Sequence, residues 1–478
     1  MHHVDVAIIG AGFTGAALAV NLLRRLPPRS RIALIGSGDD AGRGVAYGTP
    51  IPDHRLNVPA GRMSLFPTDP GDFVRWLGDQ PEGQGIADDA LPYSFAPRRA
   101  YGRYVADRLA AAERDAIGRV VLLRFPRAAL AAKPVAAGLR IDLDSGGPIV
   151  AGATALCLGN IATGLPVPSD AVDRAIGDRI ILDPWQPSAL DAVAEDEDVL
   201  VIGTGLTMID QVLTLTARGH RGRIVAVSRR GLLPLAHREP RQPPLALATV
   251  EASTPLVELS RLVRSKAKAE IAAGRDWRPV VDGLRPRLQE LWQGLGSEDR
   301  RRFLRHVAPF WNIHRHRFAP EIAARVADWR ASGRLEVVRG RVLALRRGPA
   351  DGKVVVTLRP RGDAATDEVR VDRVLNCAGL DRGAPVRSQP LLRDLAEAGL
   401  LREDPAGLGI DIDADGRVLD RHGHADNTLF ALGPLGTGRL WEIVAVPEIR
   451  EQCADVAARI AADAFARHYR QTKVAGGR

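Results

Sequence analysis

A chain of 478 residues with 45% hydrophobic and 26% charged residues has the composition of a globular protein of about two to three domains. Three scattered cysteines, Cys157, Cys377 and Cys453, rule out a disulfide framework, and the lack of a C-x-x-C pair argues against zinc and a dithiol redox centre. The net charge of +9 is spread along an arginine-rich chain with only 5% aromatic residues, which argues against nucleic-acid binding and favours an anionic substrate or cofactor.

The chain opens on a short β-rich run, Val4-Asp5-Val6-Ala7-Ile8-Ile9, followed at once by Gly10-Ala11-Gly12-Phe13-Thr14-Gly15. Mostly apolar, helix-compatible residues continue from Ala16 to Leu23. Strand, glycine turn and helix together make the dinucleotide fingerprint G-x-G-x-x-G in its proper context. Gly10 allows the tight turn, Gly12 lets a pyrophosphate approach the backbone, and Gly15 lets the helix pack close to the strand. The N–H groups at the helix start, through Phe13 and Thr14, then face the phosphates. The next strand, residues 31–35, ends on Gly36, where a carboxylate for the adenosine ribose is expected; Asp39 or Asp40 is a substitute from the loop, and backbone groups are the alternative.

Gly42-Arg43-Gly44 and Leu56-Asn57-Val58-Pro59 form a loop rich in special residues. Two glycines let backbone approach a planar ring, although a plain surface turn has the same composition. Thr68-Asp69-Pro70 reads as a helix start, and a second helix is predicted from about 99 to 114. Strands at 120–123, 139–143 and 149–158 read as a meander closing on Cys157-Leu158-Gly159, and a proline-rich stretch, 164–187, reads as a linker.

The pattern then restarts. A strand at 198–202 leads into Gly203-Thr204-Gly205-Leu206-Thr207-Met208, and a second strand, 224–227, ends in Ser228-Arg229-Arg230-Gly231. Residues 232–330 are predicted mostly helical, and a meander at 335–345, 354–358 and 369–375 closes on Cys377-Ala378-Gly379. This internal repeat implies two nucleotides, and the usual purpose of such a pair is hydride transfer from a nicotinamide to a flavin. Residues 6–23 are apolar enough to imitate a signal peptide, but Asp5 precedes them and no basic start or A-x-A site accompanies them. A cytoplasmic enzyme is expected.

These stretches, with His314-Arg315-His316-Arg317, Trp441-Glu442 and Pro447-Glu448-Ile449-Arg450, resemble the bacterial FAD-NAD(P)-binding proteins among the two-dinucleotide-binding flavoproteins. More distantly the chain is similar to the flavin-dependent N-hydroxylating monooxygenases. The resemblance implies FAD in the first unit and NAD(P)H in the second. It places the 42–44 loop by the flavin and points the helix starting near Pro447 at the flavin pyrimidine. The Cys-x-Gly strand ends, with Gly159 and Gly379, look like variants of the family's Ala-Thr-Gly. Many relatives follow their last FAD strand with Gly-Asp; here Gly433 precedes Pro434, so a second carboxylate is missing.

Arg229 and Arg230 lie where a ribose 2′-substituent sits, and arginine pairs bidentately with phosphate, so NADPH is expected; a solvated turn is the alternative. Glu448 reads as a helix-start carboxylate rather than a catalyst. The pairs His314/His316 and His422/His424 lack the further ligands of a metal site, so no metal is expected. Arg98, Arg99, Arg315 and Arg317, with Asn57, are candidate substrate contacts, although each arginine alone is more often a surface residue. No catalytic residue is assigned.

The expected fold is α/β: two Rossmann-like three-layer dinucleotide-binding domains with β-meanders and a helical insertion. The expected boundaries are 1–165 and 379–478 for a discontinuous FAD-binding domain, and 190–378 for an NADPH-binding domain with its insertion at about 232–330. The expected activity is an NADPH-dependent FAD monooxygenase, N-hydroxylating in its narrower form, acting on a small polar molecule. A flavin reductase or electron-transfer protein is the alternative, and a redox sensor without turnover is a third. A small-molecule substrate is the expected partner, with no nucleic acid or membrane, and a homo-oligomer is left open.

Overall fold

Val6, Ala7, Ile8 and Ile9 are all buried, as an unbroken apolar run must be when a strand is covered on both faces. In the computed structural model, which describes residues 1–36, 41–161, 164–186, 188–239, 242–247, 250–349, 352–379 and 385–475, they form the inner end of β1 (His2–Ile9). The strands that follow are β2 (Ser30–Ile35), β3 (Val120–Phe125), β4 (Ala129–Val135), β5 (Gly138–Leu143) and β6 (Ile149–Leu156). Next come β7 (Ile180–Ile181), β8 (Val199–Ile202), β9 (Ile224–Ser228), β10 (Leu335–Arg347), β11 (Val354–Pro360), β12 (Asp367–Val371) and β13 (Arg373–Asn376). The last two are β14 (Arg417–Leu419) and β15 (Ala425–Ala431).

The chain divides into two units, Met1–Pro52 with Val58–Ile161 and Arg382–Arg478, and Asp53–Asn57 with Ala162–Asp381. In the first unit the sheet order is β14-β15-β6-β1-β2-β3, parallel from β15 to β3. The helix Phe13–Arg25 packs on the helices Arg98–Asp115 and Val446–Ala475. The β4-β5-β6 meander and the helix Pro390–Glu397 share an apolar cluster with the sheet residues Ala7, Ile9, Ala33 and Ile35. Three layers result. In the second unit the order is β12-β11-β10-β9-β8-β13-β7, parallel from β10 to β7. This is the α/β fold with two Rossmann-like sheets that the repeat requires.

Four local readings are corrected. Residues 120–125 are no part of the meander: β3 pairs parallel with β2, and the meander's first strand is β4. The stretch 369–375 is two strands, because Asp372 breaks it; Asp372 N–H and Arg373 N–H both turn to the Asp198 carbonyl, at 2.7 and 3.2 Å. β12 stays with β11 while β13 moves beside β8. The helix expected to start at Thr68 begins at Asp72. The helical region begins only at Leu256, and the described residues from 232 to 255 form no helix. Among the described residues no helix is long and apolar enough to cross a membrane.

Candidate dinucleotide sites

In the first unit Gly10 has φ +113°, and a Cβ there would lie 2.2 Å from the Cys157 carbonyl oxygen. Its N–H donates to the Ile35 carbonyl at 2.7 Å. A Cβ on Gly15 would lie 1.8 Å from the Gly10 carbonyl oxygen, so the helix crosses directly over the turn. Gly12 differs: the nearest atom to its missing Cβ is Gly44 Cα at 3.7 Å. Gly12 is also the N-cap of Phe13–Arg25, and no side chain caps that helix. The N–H groups of Phe13, Thr14 and Gly15 therefore lack helical acceptors.

Gly36 has a packing reason to be glycine. A Cβ there would lie 2.6 Å from Ala11 Cβ and 2.8 Å from Ala11 N, so a carboxylate cannot stand at this position without moving the glycine turn. Asp39 and Asp40 lie outside the described residues. Beside the turn, Ala11, Leu34, Gly36, Ala41, Phe125 and Pro126, with Arg124, line a cleft open to solvent. The glycines at 42 and 44 serve the turn itself. Gly42 (φ +98°) donates its N–H to the Ala11 carbonyl at 2.8 Å, and a Cβ on Gly44 would lie 3.0 Å from Gly12 Cα. Arg43 between them is half-buried.

On the far strand, Gly159 (φ +69°) follows Cys157 with open space before it. Gly433 (φ +68°) donates its N–H to Gln452 Oε1 at 2.8 Å, and its missing Cβ would lie 3.1 Å from Thr14 Oγ1. Pro434 sits in the 3-10 turn Gly433–Gly436, so the amide of Gln452, not a carboxylate, holds this strand end. Trp441 is buried, Pro447 is the second residue of the helix Val446–Ala475, and Glu448 is the acid of its first turn. That helix buries Ile449, Cys453, Val456 and Ile460, as their spacing predicts.

The second unit repeats the first turn closely. Gly203 has φ +118°, its Cβ would lie 1.9 Å from the Cys377 carbonyl oxygen, and its N–H donates to Val227 at 2.8 Å. Gly205 caps the helix Leu206–Ala217 without a side-chain cap and has open space where a Cβ would be. The N–H groups of Leu206 and Thr207 are the counterparts of those at 13 and 14. Gly379 (φ +99°) follows β13, two residues after Cys377, with open space before it, like Gly159. Ser228 stands where Gly36 stands in the first unit. Its Oγ lies 2.8 Å from Thr204 Oγ1 and accepts the Gly231 N–H at 3.0 Å, while Thr204 Oγ1 also reaches the Leu232 carbonyl at 2.6 Å.

The two arginines of this turn are not alike. Arg230 donates to the Arg305 carbonyl at 3.2 Å, and its guanidinium lies 4.9 Å from the centre of the Phe310 ring. Pro309, four residues after Arg305, has no N–H to offer that carbonyl, and the guanidinium takes part of its place. Arg229 is exposed and makes no side-chain hydrogen bond or ion pair among the described residues.

The candidate substrate residues are largely engaged. Arg98 begins the helix Arg98–Asp115, and Arg99 lies 3.9 Å from Glu82, which Arg103 also holds at 2.7 Å. Arg315 and Arg317 are buried, and Arg317 pairs with Asp282 and lies 5.9 Å from the Trp277 ring. Burial pushes the Arg317 pKa down, partly offset by Asp282. Asn57 belongs to the second unit, in the segment Asp53–Asn57, and its carbonyl accepts from His237 Nε2 at 3.0 Å. His54 fastens the same segment: its Nε2 lies 2.7 Å from the Asp210 carbonyl and 3.0 Å from Thr214 Oγ1. That excursion was not legible in the sequence, since a lone histidine in a loop carries no periodicity. Among the described residues no cluster of acids, histidines or cysteines is arranged to hold a metal. All three cysteines are free and buried, and burial pushes their thiols up.

Residues 7–161 match the family described as FAD-NAD(P)-binding. This stretch is an FAD-NAD(P)-binding domain. Over nearly the whole chain the structure is similar to ornithine hydroxylase from Pseudomonas aeruginosa, with a TM-score of 0.65, 16% identity and 96% and 99% of the two chains covered. It is similar to L-lysine 6-monooxygenase from Pseudomonas syringae, with a TM-score of 0.60, 20% identity and 97% and 99% covered. Thioredoxin reductase from T. acidophilum gives a TM-score of 0.52 at 11% identity, with 97% and 100% covered. At these identities the likeness is one of fold. No curated protein sequence gives a significant match to the chain.

The FAD-NAD(P)-binding domain has the features a flavin dinucleotide needs. An uncapped helix N-terminus faces a glycine with room before it, and a cleft opens beside the ends of β2 and β3. The open glycine and uncapped helix of the second unit offer the same to a second dinucleotide.

Proposed function

We propose that the chain is an NADPH-dependent FAD monooxygenase that acts on a small, amine-bearing molecule in the cytoplasm, in its narrowest form at nitrogen. The observation that carries this reading is the doubled turn: Gly10 and Gly203 have nearly the same φ, and each backs onto the carbonyl of a Cys-x-Gly strand end. Two dinucleotide cradles in one chain suit hydride transfer from nicotinamide to flavin, which is the chemistry the bound pair supplies. In this reading the N–H groups of Phe13, Thr14 and Gly15 receive the FAD pyrophosphate, and those of Leu206 and Thr207 receive that of NADPH. The positive end of the helix Val446–Ala475 favours negative charge on the flavin ring. Arg229 is an exposed cation placed for a 2′-phosphate. The likeness to ornithine and lysine monooxygenases supports an amine substrate.

A reductase is the second reading, favoured by the likeness to thioredoxin reductase. The three cysteines weigh against a dithiol route, because each is buried with its thiol pKa raised. A reductase built on this chain would pass electrons directly to a diffusible acceptor.

The test measures NADPH oxidation, oxygen uptake, peroxide and N-hydroxylated product across a panel of amines and amino acids. Product formed in step with oxygen uptake is the expected result. Fast quinone reduction without product on any amine overturns the monooxygenase in favour of the reductase. Gly12→Val places a side chain where the pyrophosphate must approach, and folded mutant protein should lose its flavin absorbance. Equal flavin content in mutant and wild type overturns the assignment of FAD to this turn.

A further inference from the structure

We propose that Arg339, on the strand beside the 228–231 turn, is a specificity residue that grips the 2′-phosphate of NADPH together with Arg229, while Arg230 holds that turn. This rests on the reading that the second unit takes NADPH.

Ligands of an open parallel sheet lie beyond the carboxyl ends of its strands, and the adenosine ribose lies at the end of the second strand. Here that strand is β9, and its last residue is Ser228. Arg339 is the register partner of Ser228 in the parallel pair of β9 and β10, so the two stand at the same level of the sheet. It is also the last residue of that parallel stretch, since β10 pairs antiparallel with β11 from Gly340 onward.

The turn itself shows where the Arg339 side chain begins. Gly231 has φ +59°, and a Cβ on it would lie 3.0 Å from Arg339 Cβ and 3.3 Å from Arg339 Cα. Arg339 Cβ therefore presses against the 228–231 turn, and glycine at 231 leaves it room. Arg339 is exposed, and its side chain makes no hydrogen bond or ion pair among the described residues. Arg229 is in the same condition, whereas Arg230 is held by the Arg305 carbonyl and the Phe310 ring.

Arg229 and Arg230 stand in this turn and Arg339 Cβ lies against it, and no carboxylate pairs with any of the three among the described residues. The start of the same strands is different: there Arg223 has Glu336 at 4.0 Å and Asp198 at 3.9 Å. The ribose end of the sheet lacks the counter-charge that the opposite end has. A dianionic phosphate supplies it, and Arg229 from the turn and Arg339 from the neighbouring strand can each offer it a pair of N–H donors.

The experiment is calorimetric titration of the FAD-loaded full chain with 2′,5′-ADP and with 5′-AMP, which differ in the 2′-phosphate alone. Arg339→Ala should weaken 2′,5′-ADP about tenfold and 5′-AMP less than about twofold, as expected for one lost charge-assisted contact. Arg339→Gln, which keeps polarity and most of the length, should show the same selective loss, and Arg339→Lys should recover part of it. Arg230→Ala should weaken both ligands by a similar factor. If the wild type does not prefer 2′,5′-ADP, the NADPH reading fails and this inference fails with it. If the wild type prefers it and Arg339→Ala keeps the preference, the inference alone is overturned. Equal weakening of both ligands by Arg339→Ala also overturns it, since that is the mark of a structural residue.

Discussion

The two glycine turns agree at their first glycine and differ at their third. Gly10 and Gly203 share a left-handed backbone and a carbonyl wall, at 2.2 and 1.9 Å from the missing Cβ. Five residues on, the first turn has Gly15, with no room for a methyl group, and the second has Met208, fully buried. The first glycine is fixed by backbone conformation, so both units need it. The third sets how closely helix and turn approach, and each unit has its own answer. A parallel difference lies at the end of the second strand. Ala11 fills the space before Gly36 with a methyl group, whereas Thr204 reaches Ser228 with a hydroxyl. The first unit is closed there by packing and the second by hydrogen bonds.

Breaking what the turns share should have the largest effect. Gly10→Ala and Gly203→Ala each force a Cβ into a backbone carbonyl and a left-handed φ on an L-residue, so each should cost more than about 4 kcal/mol or prevent folding. Urea unfolding measures it, and a loss below about 1 kcal/mol in either variant would show that the shared geometry is wrong. Breaking what they do not share comes next. Met208→Ala should cost about 2–5 kcal/mol through the cavity it opens. Gly15→Ala should be disruptive for the opposite reason, since its Cβ meets the Gly10 carbonyl oxygen at 1.8 Å. If Met208→Ala is neutral and Gly15→Ala tolerated, the third position does not distinguish the units.

What the sequence made legible follows from the same chemistry. Both glycine turns, the strands entering them and the helices leaving them were readable, because glycine at fixed offsets and unbroken apolar runs are strong local signals. β4 was not, because Ala-Leu-Ala-Ala-Lys-Pro-Val has little strand propensity. It survives with Pro134 because it pairs with β5 alone, on an edge where a missing N–H is tolerated. The break at Asp372 was hidden because it depends on a carbonyl that is distant in sequence, that of Asp198. Among the candidate site residues, the sequence paired Arg229 with Arg230. Their separation depends on Pro309 and Phe310, about eighty residues away, and no spacing rule reaches that far. The carboxylate missing at Gly36 was visible as an absence, but its cause, the neighbouring Ala11, appears only in three dimensions.

A smaller effect should come from the hydroxyl that distinguishes the second strand end. Thr204→Val keeps the shape and removes the contacts to Ser228 and the Leu232 carbonyl, at a cost of about 1–2 kcal/mol. Ala11→Ser, the reciprocal change, puts a hydroxyl beside Gly36, which has no side chain to answer it as Ser228 answers Thr204, and should gain nothing comparable. Melting temperatures of the two variants check this, and equal shifts would remove the distinction.

The smallest predicted effect separates the units by pH. The connection from the first helix to β2 runs through Pro27, Arg29 and Ser30, and Ser30 Oγ donates to the Pro27 carbonyl at 2.7 Å. It contains no histidine. The corresponding connection in the second unit carries His220, only 2% exposed, whose Nε2 donates to the Glu197 carbonyl at 2.9 Å. Its Nδ1 is buried and has no partner among the described residues, so a proton added there gains no acceptor from them. Burial pushes the His220 pKa down; the Arg334 charge adds to this, while the bond to Glu197 and the nearby carboxylates oppose it. The unfolded chain, with an ordinary histidine pKa of about 6.5, therefore takes up the proton first as pH falls. The contribution of neutral His220 to stability is complete above about pH 6.5 and is lost as pH drops through the lower folded value. His220→Gln keeps a donor for the Glu197 carbonyl and cannot be protonated. Hydrogen exchange at β8 and β9 should accelerate from pH 7 to pH 5 in the wild type, after correction for intrinsic rates, and less so in this variant. Exchange at β1 and β2 should respond alike in both proteins. The same acid response at β8 and β9 with and without His220 would show that the histidine is not what makes the second unit sensitive to acid.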